Sequence, residues 1–182
     1  MISRNPHGLL PRHFIVLDLE TTGFSPARDE IVEIAALKVD TTCDTHQRYL
    51  CLVRTEFPIP PEAVAVHGIT DEMLRAKGLP HEEAIRDLHE FIGDMRIICH
   101  NARFDMGFLR ESFARYGLAF PNPSSCTLQM TRRAFPDLPS YKLEDIVRFA
   151  GWDSTGSHRA LTDCLNTARV YINSVGILAS IE

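Results

Sequence analysis

The stretch Phe14-Ile15-Val16-Leu17-Asp18-Leu19-Glu20-Thr21-Thr22-Gly23 passes from purely aliphatic and aromatic residues to acids without a break. A short apolar run of this kind suits a strand buried on both faces, and Gly23 and Pro26 mark the turn that follows. Side chains alternate along a strand, so Asp18 and Glu20 leave the same side of the sheet. Withdrawing a carboxylate from water costs several kcal/mol even after relaxation, and no Lys or Arg stands near either acid on the strand. A divalent cation would offset that cost. A solvent-facing sheet end or a helix-capping role is the alternative that this pair alone leaves open.

Working outward, Ile31 to Val39 and Tyr49 to Val53 are rich in β-branched and aliphatic residues and are separated by polar turn-formers, which predicts a three-stranded antiparallel meander. Beyond Pro60 the periodicity changes. Glu62 to Val66, Asp71 to Ala76 and Glu82 to Ile92 read as helices, the last with Ala84, Ile85, Leu88, Phe91 and Ile92 on one face. Ile97-Ile98-Cys99 is a second buried strand. It leads to a helix from about Ala102 to Tyr116, striped by Phe104, Phe108, Leu109 and Phe113 and ended by Gly117. After Pro121 and Pro123 come a short segment at Cys126-Thr127-Leu128 and helices near Gln129 to Phe135, Leu143 to Ala150 and Ala160 to Val175. Strands first, then strands alternating with helices, predict a mixed α/β sheet packed by helices. One domain spanning residues 1–182 accommodates all of it.

Composition narrows the class. The 182 residues carry 19 Lys plus Arg against 24 Asp plus Glu, a net charge of −5, and 45% are apolar. Such a chain can bury its own core and is neither disordered nor fibrous. No run approaches the ~20 apolar residues needed to cross a bilayer, and the first residues lack the apolar centre of a secretory signal, so the cytoplasm is expected, with no membrane partner. Five cysteines, odd in number and never in a C-x-x-C pair, suggest neither a disulfide framework nor a thiolate zinc site. Net acidity argues against a broad basic face for long nucleic acid. It does not exclude a site that grips one or two phosphates through cations held by its own carboxylates.

Two further segments supply chemistry. Asp105 lies in His100-Asn101-Ala102-Arg103-Phe104-Asp105, where a strand gives way to a helix with Asn101 as a predicted N-cap; an acid stabilised by the helix dipole is the alternative there. Asp163 falls in or near the first turn of the last helix, and His158 sits on the preceding loop, after the mobile approach Gly156-Ser157. A surface histidine is the plain alternative. Jointly, four acids from three segments plus one loop histidine fit two Mg²⁺ or Mn²⁺ ions about 3.5–4 Å apart, and hard oxygen ligands disfavour zinc. Arg103, Arg110, Arg132 and Arg133 read as solvated helix faces.

The strings Asp18-Leu19-Glu20-Thr21-Thr22-Gly23, Val66-His67-Gly68-Ile69-Thr70, His100-Asn101-Ala102-Arg103-Phe104-Asp105 and His158-Arg159-Ala160-Leu161-Thr162-Asp163 resemble the ordered motifs of the DEDDh 3′-to-5′ exonucleases, and among these the proofreading epsilon subunits of bacterial DNA polymerase III. The likeness runs from about Phe14 to Tyr171, within a motif-bearing core of about 14–175. It implies a ribonuclease H-like fold, with three antiparallel and then parallel strands flanked by helices, and a two-metal nuclease. Asp18, Glu20, Asp105 and Asp163 match the metal-binding acids and His158 the general base; Thr21, Thr22, His67, Asn101 and Phe104 match the pocket for the terminal nucleotide. A core role for Phe104 and a helix-turn role for His67 are the bland alternatives.

The resemblance implies a single-stranded nucleic acid 3′ end as substrate, DNA first, with a ribonuclease T-like RNA-trimming activity as runner-up. A catalytically silent, nuclease-derived interaction module is a third reading, against which all five catalytic residues stand. An Asp-nucleophile phosphatase would want a second Asp where Glu20 stands. The chain stops at Glu182, without the C-terminal segment that ties polymerase-associated relatives to their polymerase subunit. A free-standing nuclease is therefore expected ahead of one partnered by a DNA polymerase subunit.

Overall fold

The computed structural model describes residues 8–43, 45–152 and 159–181. Alternation along the first strand, β1 (His13–Thr21), sorts the molecule into two apolar layers: Ile15, Leu17 and Leu19 enter one, Phe14 and Val16 the other. Antiparallel to β1 runs β2 (Ile31–Asp40), and antiparallel to β2 runs β3 (Gln47–Leu52). On the other side of β1, β4 (Ile97–Cys99) and then β5 (Ser124–Cys126) run parallel, giving the order β3-β2-β1-β4-β5. The mixed sheet expected from the sequence is thus present, and its architecture is ribonuclease H-like.

Helices α1 (Pro61–His67) and α2 (Asp71–Lys77) close a small satellite core with Val32, Ile59, Ile69 and Leu74. The first main layer is filled by α3 (His81–Ile92) and α4 (Ala102–Arg115), which bury Ile85, Leu88, Phe108 and Phe113 against β1. After α5 (Thr127–Ala134) and α6 (Leu143–Phe149), the long α7 (Ala160–Ile181) covers the second face with Ala160, Cys164, Ala168, Tyr171 and Ile172. Each large side chain fully withdrawn from water in these layers contributes about 1.5–3 kcal/mol. Among the described residues, no helix is long and apolar enough to cross a membrane.

Three sequence expectations need correction. The short strand after Pro123 is Ser124–Cys126, and Thr127 already belongs to α5. Two serines disguise it, because this strand is specified by backbone pairing to β4 and not by apolar side chains. The last helix passes Val175 and runs to Ile181; Ser174 and Gly176 weaken its propensity without breaking it. Asn101 stands at the N-cap position of α4, but its side chain makes no capping hydrogen bond and its φ is 67°. Asn is among the few residues that tolerate this left-handed backbone.

Phe14 is fully buried and meets Tyr171 of α7 edge-on, ring centroids 5.2 Å apart. Phe14→Ala should therefore lower the free energy of unfolding by about 3–5 kcal/mol, read from urea denaturation. A loss below about 1 kcal/mol would mean that α7 is not anchored through this contact.

Candidate active site

Asp18 and Glu20 continue the Phe14 and Val16 side of β1, so both carboxylates face α7. There they meet Asp163, in the first turn of α7. Oxygen atoms of Asp18, Glu20 and Asp163 all lie within 4.8 Å of one another, and all three residues are half-buried. Asp105 arrives from the opposite layer, in the first turn of α4, and is buried at the same end of the sheet. It stands outside the trio, its carboxylate accepting from its own backbone N–H and from that of Leu19. All four acids line one cavity of about 940 Å³.

The electrostatics follow from this crowding. Burial, and then the charges of Asp105, Asp163, Glu20 and Glu33, hold the Asp18 carboxyl well above the usual carboxylate range. Burial, then Asp163, Glu33 and Asp105, push Glu20 up to about 8, with Arg159 partly offsetting them. Burial also raises Asp105. Packed oxygen donors whose ionised forms oppose one another fit a hard divalent cation, and the absence of Cys or His from the trio disfavours soft metals. The buried thiols Cys99 and Cys164 are raised by desolvation and belong to the core.

The remaining expected residues are placed as follows. Asn101 and Phe104 line the cavity. Thr21 and Thr22 are buried behind it and are engaged in the turn after β1: the Thr21 hydroxyl donates to the Gly23 carbonyl at 2.6 Å, and Thr22 Oγ1 accepts from the Glu30 N–H at 2.9 Å. His67 is also buried, its Nδ1 accepting from the Ile69 N–H at 3.0 Å. That leaves the hydrogen on Nε2, a buried atom directed at the Thr21 backbone carbonyl. Desolvation lowers the His67 pKa and keeps the ring neutral. His158, with Gly156 and Ser157, lies outside the described residues.

Several cavity residues carried no clear signal in the sequence. Phe24 is 91% exposed, yet its ring stands edge-on to Phe104 at 6.3 Å and lines the cavity. The turn that presents it is tight: a Cβ on Gly23 would come within 2.6 Å of the Asp29 carboxylate, and one on Gly107 of α4 within 3.0 Å of Pro26. Arg132, read from the sequence as a solvated charge, sits on the cavity rim with its guanidinium 5.5 Å from the Tyr141 ring centre. Lys142 lines the same cavity. His100 fixes this far wall, donating from Nε2 to the Tyr141 carbonyl at 2.9 Å while Nδ1 lies 2.9 Å from the Thr127 hydroxyl oxygen. Both ring nitrogens are thereby engaged, and burial lowers the His100 pKa.

A ribonuclease H-like sheet with an acidic cluster at the carboxyl end of its first strand defines the class of metal-dependent nucleases that work on phosphodiesters. Residues 15–171 match the exonuclease family of ribonuclease T type, and the chain belongs to that family. It is 37% identical over 166 residues to the DNA polymerase III subunit epsilon of Aquifex aeolicus, covering 90% of this chain and 81% of that one. It is 35% identical over 164 residues to the PolC-type DNA polymerase III of Halalkalibacterium halodurans, of which it spans 11%. Exonuclease X, solved with 5′ overhanging duplex DNA, superposes with a TM-score of 0.69 at 29% identity, covering 90% of this chain and 91% of the other. Exonuclease I of E. coli, solved with a dT13 oligonucleotide, gives a TM-score of 0.83 at 22% identity over 94% of this chain and 42% of that one, a likeness of fold.

With EDTA present, the thermal midpoint of the parent relative to Glu20→Gln should fall as pH rises from about 4.5 to about 8. Unfolded Glu20 loses its proton near the lower value and folded Glu20 only near the higher one. Between them the folded state binds more protons, so acidity stabilises it and alkali removes that stability. A difference that is flat or rises with pH would contradict the crowding described above.

Proposed function

We propose that this chain is a 3′-to-5′ exonuclease that releases 5′-mononucleotides from single-stranded DNA, with two Mg²⁺ or Mn²⁺ ions held by Asp18, Glu20, Asp105 and Asp163. The observation that carries the proposal is the convergence of three carboxylates within 4.8 Å at the floor of a cavity that also holds Asp105. When bound, such cations offset the negative charge of a phosphodiester and make water more acidic. The four carboxylates bind and space them. The imidazole of His158, with an unperturbed pKa of about 6.5, takes the proton of the attacking water near neutral pH.

The cavity walls suit one strand end. Phe104 and Phe24 offer aromatic faces and edges to terminal bases, a contact worth about 1–3 kcal/mol per base. Thr21 and Thr22 serve by holding the turn that carries Phe24, Asn101 offers hydrogen bonds to the terminal nucleotide, and His67 supports the pocket from behind through the Thr21 backbone. Arg132 and Lys142, in the same cavity lining, supply positive charge for strand phosphates. DNA is preferred because the DNA polymerase III relatives and the two exonucleases solved with DNA share this sequence pattern or fold. RNA trimming of the ribonuclease T kind is the second reading, favoured by the type name of the family. A single domain over residues 1–182 and a cytoplasmic setting belong to the same proposal; the epsilon relative makes a DNA polymerase III subunit the alternative to the free-standing nuclease expected from the sequence.

Parallel digestion of single-stranded DNA and RNA of one sequence, with Mg²⁺ and then with EDTA, tests it. Mononucleotide release from DNA 3′ ends, abolished by EDTA and by Asp18→Ala, is expected; faster release from RNA would transfer the assignment to the second reading. His158→Ala should lower turnover by about 10²–10⁴ with Mn²⁺ binding retained, and parental turnover would remove the histidine from the mechanism. For Phe24→Ala, KM for a short oligonucleotide should rise by about tenfold, as expected for a lost stacking contact, with kcat little changed. An unaltered KM would remove Phe24 from the strand path.

A further inference from the structure

Glu33 is a carboxylate that the acidic centre does not use. It sits on β2 directly opposite Glu20 in the antiparallel register and is 2% exposed, yet it is not among the acids clustered within 4.8 Å. Two such acids paired across a sheet repel each other, so its presence needs a reason. Its Oε1 accepts from Arg159 Nη2 at 2.8 Å, and its Oε2 accepts from the backbone N–H of Ala160 at 3.1 Å and more loosely from Arg159 Nε at 3.4 Å. Ala160 is the first residue of α7. Glu33 therefore does for this helix what an N-cap side chain does, from a different element 127 residues away in sequence.

One turn further on, the Cys164 thiol lies 3.3 Å from the Ala35 carbonyl and 3.7 Å from that of Val16. The first turn of α7 is thus tied to the sheet at residue 160 by a charged hydrogen bond and at residue 164 by a buried thiol. Asp163 lies between the two ties. We propose that Glu33 is a positioning residue: through Ala160 and Arg159 it sets the start of α7 so that the Asp163 carboxylate meets Asp18 and Glu20. Arg159 neutralises Glu33 and at the same time lowers the cost of ionising Glu20 beside it. This inference rests on the proposed role of Asp163 as a metal ligand.

Removal of a group that orients a metal ligand commonly weakens metal affinity by about 10–100-fold. Isothermal titration of Mn²⁺ without nucleic acid should therefore show weakening of that order in Glu33→Ala, and less in Glu33→Gln, whose amide oxygen still accepts from Ala160. Raised Mn²⁺ should restore kcat, with KM for the oligonucleotide within about twofold of the parent. Arg159→Lys should recover part of the affinity lost in Arg159→Ala. Leu88→Ala, which destabilises the other core layer, is the control for a merely structural effect and should leave Mn²⁺ affinity near the parental value.

Parental Mn²⁺ affinity in both Glu33 variants, or a loss matched by the Leu88 control, would overturn the inference. If Glu33→Ala does not fold, Glu33→Gln and the arginine pair decide the question alone. A parent protein that binds no Mn²⁺ would instead remove the metal-ligand reading. Amide exchange over residues 160–164 then tests the clamp itself: faster exchange in Glu33→Gln supports it, and unchanged exchange removes it.

Discussion

Asp18, Glu20 and Asp163 are brought within 4.8 Å of one another by two elements, β1 and α7, that are joined through apolar contacts. The repulsion among these acids opposes folding, and packing of Phe14, Val16, Tyr171 and Ile172 supplies the work against it. Charge is confined to the end of the sheet, where strand pairing stops and a bulge separates Glu20 from Thr21. At that edge water and cations have access, whereas deeper in the same layer the buried groups are uncharged, among them Val16, Cys164 and Ala168. The cavity is therefore the place where an otherwise apolar interface runs out.

Its walls come from segments that differ in how firmly they are held. The turn carrying Phe24 is fixed by close contacts at Gly23 and Gly107 and by short hydrogen bonds through Thr21, Thr22 and Asp29. Opposite it, the segment from Pro139 to Glu144 hangs on His100 and on the Tyr141 hydroxyl, which lies within hydrogen-bond reach of the Phe135 and Pro136 carbonyls. The cavity lining thus combines aromatic rings, Phe24 and Phe104, the cations Arg132 and Lys142, and the acidic cluster. Bases and phosphates present complementary chemistry to those rings and cations.

Much of this was legible in the chain. Strict alternation in β1 places Asp18 and Glu20 on one side without any knowledge of tertiary structure, and the strand-to-helix break at Asn101 puts Asp105 at the same end of the sheet. Phe24, Arg132 and Glu33 were not legible, each for a physical reason. Phe24 is exposed, so no periodicity marks it. Arg132 gains its meaning from Tyr141, on a loop whose path no local rule gives. Glu33 sits within the apolar segment Ile31 to Val39 and is explained only by a helix start 127 residues later. β5 escaped because its pairing is carried by backbone and not by side chains.

Alternation in β1 has one more consequence, for the lengths this gene can tolerate. Loss or gain of a single codon between His13 and Asp18 would exchange the two faces of the strand, sending the acids toward the α3 and α4 layer and the leucines toward α7. The connection between β2 and β3 has no such parity to preserve. Natural length variation should accordingly collect in such connections and avoid the first strand, whose residue count is as constrained as its composition.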